Sequence, residues 1–226
     1  MDQQRAGKPP ARIVLGGRQE LVLLAVTLWA WFVIAAFVDL TCHEAAHALV
    51  AAALGKPVHG IYISAVEGYA FSIEGGIGES WVRSLDTAAG VPAGMLLGLA
   101  AALILRRGMG RYGVGASAFL LWLACLGLTQ EPAYLALGWL PRMVPGGDVQ
   151  YLIRMFGIHP LWFAVPGTVL VVVGGVTSGL LLKRWLATYV PGMTKRQSWA
   201  LPGMVVLLLV VAGTIASALQ RSGRWV

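Results

Sequence analysis

Two histidines, His43 and His47, bracket a glutamate in the run His43-Glu44-Ala45-Ala46-His47. On an α-helix this spacing sets both imidazoles on one face, one turn apart, where together they can grip a single metal ion. Glu44 follows the first histidine closely enough to reach water on that metal. The pattern is that of a zinc metallopeptidase. The metal lowers the pKa of its water toward about 7 and polarises the scissile carbonyl. Glu44 takes the proton and returns it to the leaving amine. Catalytic zinc usually keeps three protein ligands and one open position. Asp148, after Gly146-Gly147, and Glu131 are the candidates for the third. Asp148 reads equally well as a helix N-cap before Val149, and Glu131 as a solvated residue at a helix end before Pro132. Asp39 lies one turn before His43 on the same face. It either orients His43 as a neighbouring carboxylate or is a charge turned to water. His59 and His159, beside Gly60 and Pro160, read as surface or capping residues, and Cys42 and Cys125 as small core residues.

The competing account is a pair of packed helix histidines with a chance glutamate. The surrounding composition weighs against it. The chain has 226 residues, 58% hydrophobic and 12% charged, whereas soluble domains run about 45–50% apolar and about 25% charged. This is an all-α polytopic membrane protein by composition, multi-pass in the cell membrane with the lipid bilayer as its solvent. Ionisable residues inside such spans are costly and functional by default. The net charge of +7 sits in short clusters beside apolar runs. It therefore reports membrane topology, and no basic, aromatic face for nucleic acid is visible. Two cysteines in apolar runs imply no disulfide framework.

The elements that must position these residues follow from the apolar runs. Residues 1–20 form a basic, flexible tail, 21–160 a catalytic membrane core, and 161–226 two C-terminal transmembrane helices. Spans are expected at about Leu21–Leu54, Leu85–Leu105, Gly113–Leu128, Leu161–Leu182 and Ala200–Leu219. That makes five transmembrane helices, or six if a turn precedes Asp39. The first run is far longer than the ~20 residues a span needs, so it tilts, protrudes or kinks. After it, Ile61 and Ile63, then Tyr69, Phe71 and Ile73, alternate around Glu67-Gly68: a small β-hairpin whose edge a peptide could join. Gly90, Gly94 and Gly98 recur every four residues as a face for close helix packing. The segment from Thr129 to Pro160 is polar and broken by prolines, with a form open to re-entry into the membrane. Counting Lys and Arg puts the N-terminal tail in the cytoplasm and the HEAAH end outside. In either orientation, that end and the Pro145–Asp148 loop fall on one side and can meet.

With these pieces in order, the chain resembles the site-2 protease family of intramembrane zinc metallopeptidases, and especially its small, minimal bacterial branch. The resemblance rests on "HEAAHALVAAALG", "VHGIYIS", "AAGVPAG" and "GGDVQYL", between Leu21 and Phe156. It implies His43, His47 and Asp148 as ligands of one Zn2+ per chain and Glu44 as the catalytic acid/base. It also implies a membrane-spanning or membrane-adjacent protein or peptide as substrate, unwound and paired to the β region. Tyr69, Phe71 and Gln130 are the candidate substrate contacts. The resemblance further implies a centre toward the cytosolic side, against the charge count. The chain departs from the family pattern in three places. Val91 separates Gly90 from Pro92, "GGD" replaces the more usual "DG" order, and no Asn is present, which leaves Gln130 or backbone groups to bind substrate.

The sequence therefore predicts an intramembrane zinc metalloprotease. The alternative is a non-proteolytic zinc-binding membrane protein: a transporter, a sensor or a degenerate protease-like scaffold.

Overall fold

The computed structural model describes residues 12–15, 17–63, 68–72, 85–140 and 147–197. Helix α1 (Arg18–Ala53) is one unbroken helix of 36 residues. No glycine or proline interrupts it, and Glu20 lies in its first turn, where a negative charge suits the helix dipole. At 1.5 Å per residue it is about 54 Å long, well beyond a hydrocarbon core of about 30 Å. It ends at Gly55, whose φ of +74° is easy only for glycine. Lys56 N–H donates to the Ala51 carbonyl (2.9 Å) and Gly55 N–H to that of Ala52 (3.0 Å). This Schellman turn satisfies the last carbonyls and folds Lys56 back over the helix end.

The chain then forms the expected hairpin, β1 (Val58–Ile63) and β2 (Gly68–Ser72). The strands are antiparallel, pairing Tyr62 with Tyr69 and Gly60 with Phe71, with a bulge between Val58 and Gly60. Both strands pack against α1. Residues 64–67 and 73–84, which include the expected strand residue Ile73, lie outside the described residues.

Helix α2 (Gly90–Gly108) continues a helical stretch that starts at Leu85. Helix α3 (Val114–Cys125) runs through a π-helical turn (Leu126–Gln130) into α4 (Glu131–Leu137). The short α5 (Asp148–Phe156) and the long α6 (Leu161–Tyr189) follow. Among the described residues, four helical stretches are long and apolar enough to cross a membrane: Arg18–Ala53, Leu85–Gly108, Val114–Leu137 and Leu161–Tyr189. The fifth expected span, Ala200–Leu219, lies outside the described residues.

Two expectations change, besides a fourth span that does not stop at Leu182 but runs on to Tyr189. The third span does not stop at Leu128 but reaches Leu137. Pro132 has no N–H and its ring crowds the carbonyl four residues back, which ends most helices. Here the helix widens into the π turn just before Glu131-Pro132 and carries on. The carbonyl of Leu128 is thereby released toward α6, where it lies against the Cα of Gly174 in a space that any Cβ would fill. The second change concerns the N-terminal tail. Ile13 N–H donates to the Tyr189 carbonyl (2.7 Å), and Ile13 and Leu15 pack on the core. This part of the tail is docked, and the helix starts at Arg18.

The bundle is divided into two zones. Leu21, Leu24, Leu28, Leu105, Leu121 and Trp185 form an apolar core at one end. Two of its buried polar tips find partners: Trp185 Nε1–H donates to Ser117 Oγ (2.9 Å) and the Tyr189 hydroxyl to the Tyr112 carbonyl (2.7 Å). Toward the other end, the buried side of α1 carries Asp39, His43 and Glu44 instead. Outward surfaces are apolar. On α6, Trp162, Val165, Val169, Val172, Val173 and Val176 are exposed at helical spacing. Buried ionisable groups at this end and exposed aliphatic ones on the outer faces suit helices long enough to cross a membrane.

Candidate metal centre

Each part of the centre is delivered by a separate helix. Helix α1 presents His43 and His47 one above the other, with ring centroids 4.9 Å apart. Asp148 begins α5. Its Oδ2 lies 3.5 Å from His43 Nε2 and 3.3 Å from His47 Nε2. The three donor atoms all lie within 4.8 Å of one another and could hold a metal ion.

The other nitrogen of each ring is already committed. His43 Nδ1 faces the carboxylate of Glu131, at 3.1 Å from Oε1 and 3.2 Å from Oε2. His47 Nδ1 lies 2.5 Å from the backbone carbonyl of Asp86. Both partners are pure acceptors, so both Nδ1 atoms carry protons and donate. In the neutral rings, the two Nε2 lone pairs then converge with a carboxylate oxygen: three acceptors facing each other with no donor among them. A cation at the centre would satisfy all three. The spacing suits one, because tetrahedral bonds of about 2.0–2.1 Å set neighbouring ligand atoms ~3.3 Å apart. Protons on Nε2 are the substitute when no metal is bound. Burial then opposes ionisation of Asp148, but hydrogen bonds from His43 and His47 outweigh it and hold the carboxyl at about 2.

The space between the donor atoms comes from a glycine. A Cβ on Gly90 would overlap His43 Nε2 and lie 2.5 Å from His47 Nε2. One turn on, a Cβ on Gly94 would lie 2.7 Å from Glu131 Oε1. A further turn on, a Cβ on Gly98 would lie 2.7 Å from the Cα of Gly127 in the π turn. The four-residue glycine spacing is therefore more than a general packing face. Gly90 floors the cradle between the three donors, Gly94 seats the carboxylate behind His43, and Gly98 lets α2 cross the π turn backbone to backbone.

The remaining predicted residues fall as follows. Glu44 is buried, 6% exposed, and interacts electrostatically with Tyr134. Asp39 is 2% exposed and its Oδ1 has no hydrogen-bond partner. Its charged neighbours are Glu131 and His43. Burial overturns the reading of Asp39 as a charge turned to water. The contact to His43 Nδ1 comes from Glu131 rather than Asp39. Glu131, as a rival ligand, is on the far side of the ring from Asp148 and is buried, not solvated at a helix end. Gln130 is exposed at the end of the π turn. Tyr69 and Phe71 enter only through the backbone pairing of β2 with β1. Cys42 and Cys125 are free thiols.

No protein-family model, curated protein or solved structure matches the chain. What the centre can do therefore rests on its own geometry.

Sequence reasoning missed Tyr134, Asp86 and Lys56. The Tyr134 hydroxyl accepts the Asp148 N–H at 2.9 Å, and its ring meets His43 edge-on with centroids 6.1 Å apart. It thereby ties the start of α5 to α4. Its signal was available: Tyr134 stands three residues after Glu131, on the same helix face. Asp86 and Lys56 carried no signal, because Asp86 acts through its main chain.

Proposed function

We propose that the protein is an intramembrane zinc metalloprotease, multi-pass in the cell membrane, that hydrolyses peptide bonds of membrane-spanning or membrane-adjacent proteins. The observation that carries this reading is the convergence of His43 Nε2, His47 Nε2 and Asp148 Oδ2 while both Nδ1 atoms donate elsewhere. Two imidazoles and one carboxylate, with a fourth position left for water, are the donor set of catalytic rather than structural zinc. One Zn2+ held there would supply Lewis-acid polarisation of the scissile carbonyl and acidify water.

The chain's own residues supply the rest. Glu44, next to His43 in sequence and buried, is the general base and then the general acid toward the leaving amine. Its burial strengthens each electrostatic contact it makes. Glu131 and the Asp86 carbonyl fix the two rings so that the ligand nitrogens need no reorganisation. Tyr134 holds the first peptide of α5, and with it Asp148, in place. The hairpin offers a strand edge to an extended peptide, and Gln130, which is exposed, is the candidate for the substrate's polar groups in a chain without Asn.

The test uses the full-length protein purified in detergent and reconstituted with a membrane-protein substrate. Metal analysis should give one zinc per chain. Glu44→Gln should retain that zinc and lose peptide cleavage by at least about 100-fold, as loss of a general base does. Zinc retained with no cleavage by the unaltered protein on any substrate would favour the non-proteolytic zinc-binding reading. Absence of stoichiometric metal would overturn both.

A further inference from the structure

We infer that Lys56 and Asp86 form a clamp that positions His47 for metal binding, so that the turn ending α1 is part of the metal centre. The inference rests on reading His43, His47 and Asp148 as the ligands.

Three contacts meet on Asp86. Its Oδ2 lies 2.6 Å from Lys56 Nζ, its Oδ1 accepts the Thr87 N–H at 2.8 Å, and its carbonyl faces His47 Nδ1 at 2.5 Å. The same carbonyl accepts the Ala89 N–H at 3.1 Å. Asp86 is 9% exposed, so the ion pair is shielded and geometrically defined rather than a loose surface contact. Every atom of Asp86 that can accept is used. The side chain is held from both oxygens, and the carbonyl is shared between the Ala89 N–H and His47 Nδ1.

The clamp joins segments distant in sequence. Lys56 is placed by the Schellman turn at Gly55, one turn beyond the last residues of α1 and two residues before β1. Asp86 opens the stretch that leads through Ala89 to Gly90, the floor of the cradle. The ion pair therefore sets how far the start of α2 stands from α1, and with it two things at once: the acceptor for His47 Nδ1 and the depth of the cradle under Nε2. His43 is oriented by a carboxylate side chain and His47 by a backbone carbonyl. A carbonyl cannot rotate independently of its chain, so its aim needs a tether, and Lys56 is that tether. Partners that hold the second nitrogen of a ligating histidine typically govern metal affinity by about 10- to 100-fold.

The experiment measures zinc affinity by chelator competition in the full-length protein, together with 15N spectra of labelled histidine. Lys56→Met and Asp86→Asn should each weaken zinc binding about 10-fold with the thermal unfolding of the metal-free protein little changed. The reversed pair K56D/D86K should recover most of the affinity. In the unaltered protein the His47 Nδ1 should carry a hydrogen-bonded proton, with and without zinc, and Lys56→Met should blur that into a mixture of tautomers. Wild-type zinc affinity in folded Lys56→Met and Asp86→Asn would overturn the inference. Should those variants not fold, the unaltered protein decides: an unprotonated His47 Nδ1 overturns the clamp, and a bonded proton there upholds it. If the unaltered protein takes up no zinc, the protease reading falls, while the nitrogen spectra of the metal-free chain still decide the clamp.

Discussion

Gly90 lies directly against the Nε2 edge of His43, so that the site of its missing Cβ is the floor of the cradle between the two imidazoles. A side chain of any size there would compete with an ion held by the three donors. Gly90→Ala should therefore lower zinc affinity by about 10- to 100-fold, the equivalent of the ~1–3 kcal/mol that overpacking costs. Fold should survive, since alanine is the better helix former. Chelator competition and circular dichroism on the same sample check both halves. Tight zinc binding by this variant would remove Gly90 from the cradle.

Glu131 stands behind His43, and its removal should be felt at the opposite nitrogen. Glu131→Gln keeps the shape but not the charge, and zinc affinity should fall by about 10- to 100-fold. Glu131→Ala also leaves a buried N–H without an acceptor, costing about 1–3 kcal/mol of stability. The same change at Asp39, which makes no hydrogen bond to His43 Nδ1, should cost less affinity. Titrating zinc into the three proteins ranks them, and a larger loss at Asp39 would reverse the assignment.

The π turn aims Glu131 and is accommodated by Gly174. Gly174→Ala would place a methyl group on the Leu128 carbonyl. It should destabilise the protein by about 1–3 kcal/mol and weaken zinc binding through Glu131. Gly175, one residue on, has no described atom within 4 Å of its Cβ position, and Gly175→Ala is the matched control. Thermal unfolding in detergent separates them; equal melting points would show that the carbonyl has room to move.

Asp148 makes the acid behaviour of the metal-free protein predictable. Its carboxyl is held at about 2 against an ordinary 3.8. A depressed value contributes stability that is present above the unfolded value and lost as pH falls through the folded one. Metal-free wild type should therefore exceed Asp148→Asn by ~2 kcal/mol near neutrality, with the two converging between about pH 4 and pH 2. Unfolding curves across that range test it, and a difference that grows on acidification would contradict it.

Much of this arrangement was legible in the chain. The HEAAH spacing sets both imidazoles on one helix face whatever the rest of the molecule does, because 3.6 residues per turn is a local property. The apolar runs specified the helices, and alternation around Glu67-Gly68 specified the hairpin, since both signals also lie within one element. The length of the third span was not legible. Pro132 reads as a helix stop, and only the space beside Gly174 on a helix more than 40 residues later lets a π turn absorb it.

The same division runs through the centre. Which nitrogen of each histidine faces the cradle depends on partners 88 residues away for His43 and 39 for His47. No periodicity links residues so far apart. Sequence alone determined that two imidazoles and a glutamate share a helix in an apolar chain. Tertiary structure decided that Asp148 closes the group, that Glu131 rather than Asp39 stands behind His43, and that a main-chain carbonyl holds His47. Those choices are made where helices cross, and the glycines at 90, 94, 98 and 127 decide how closely they may cross.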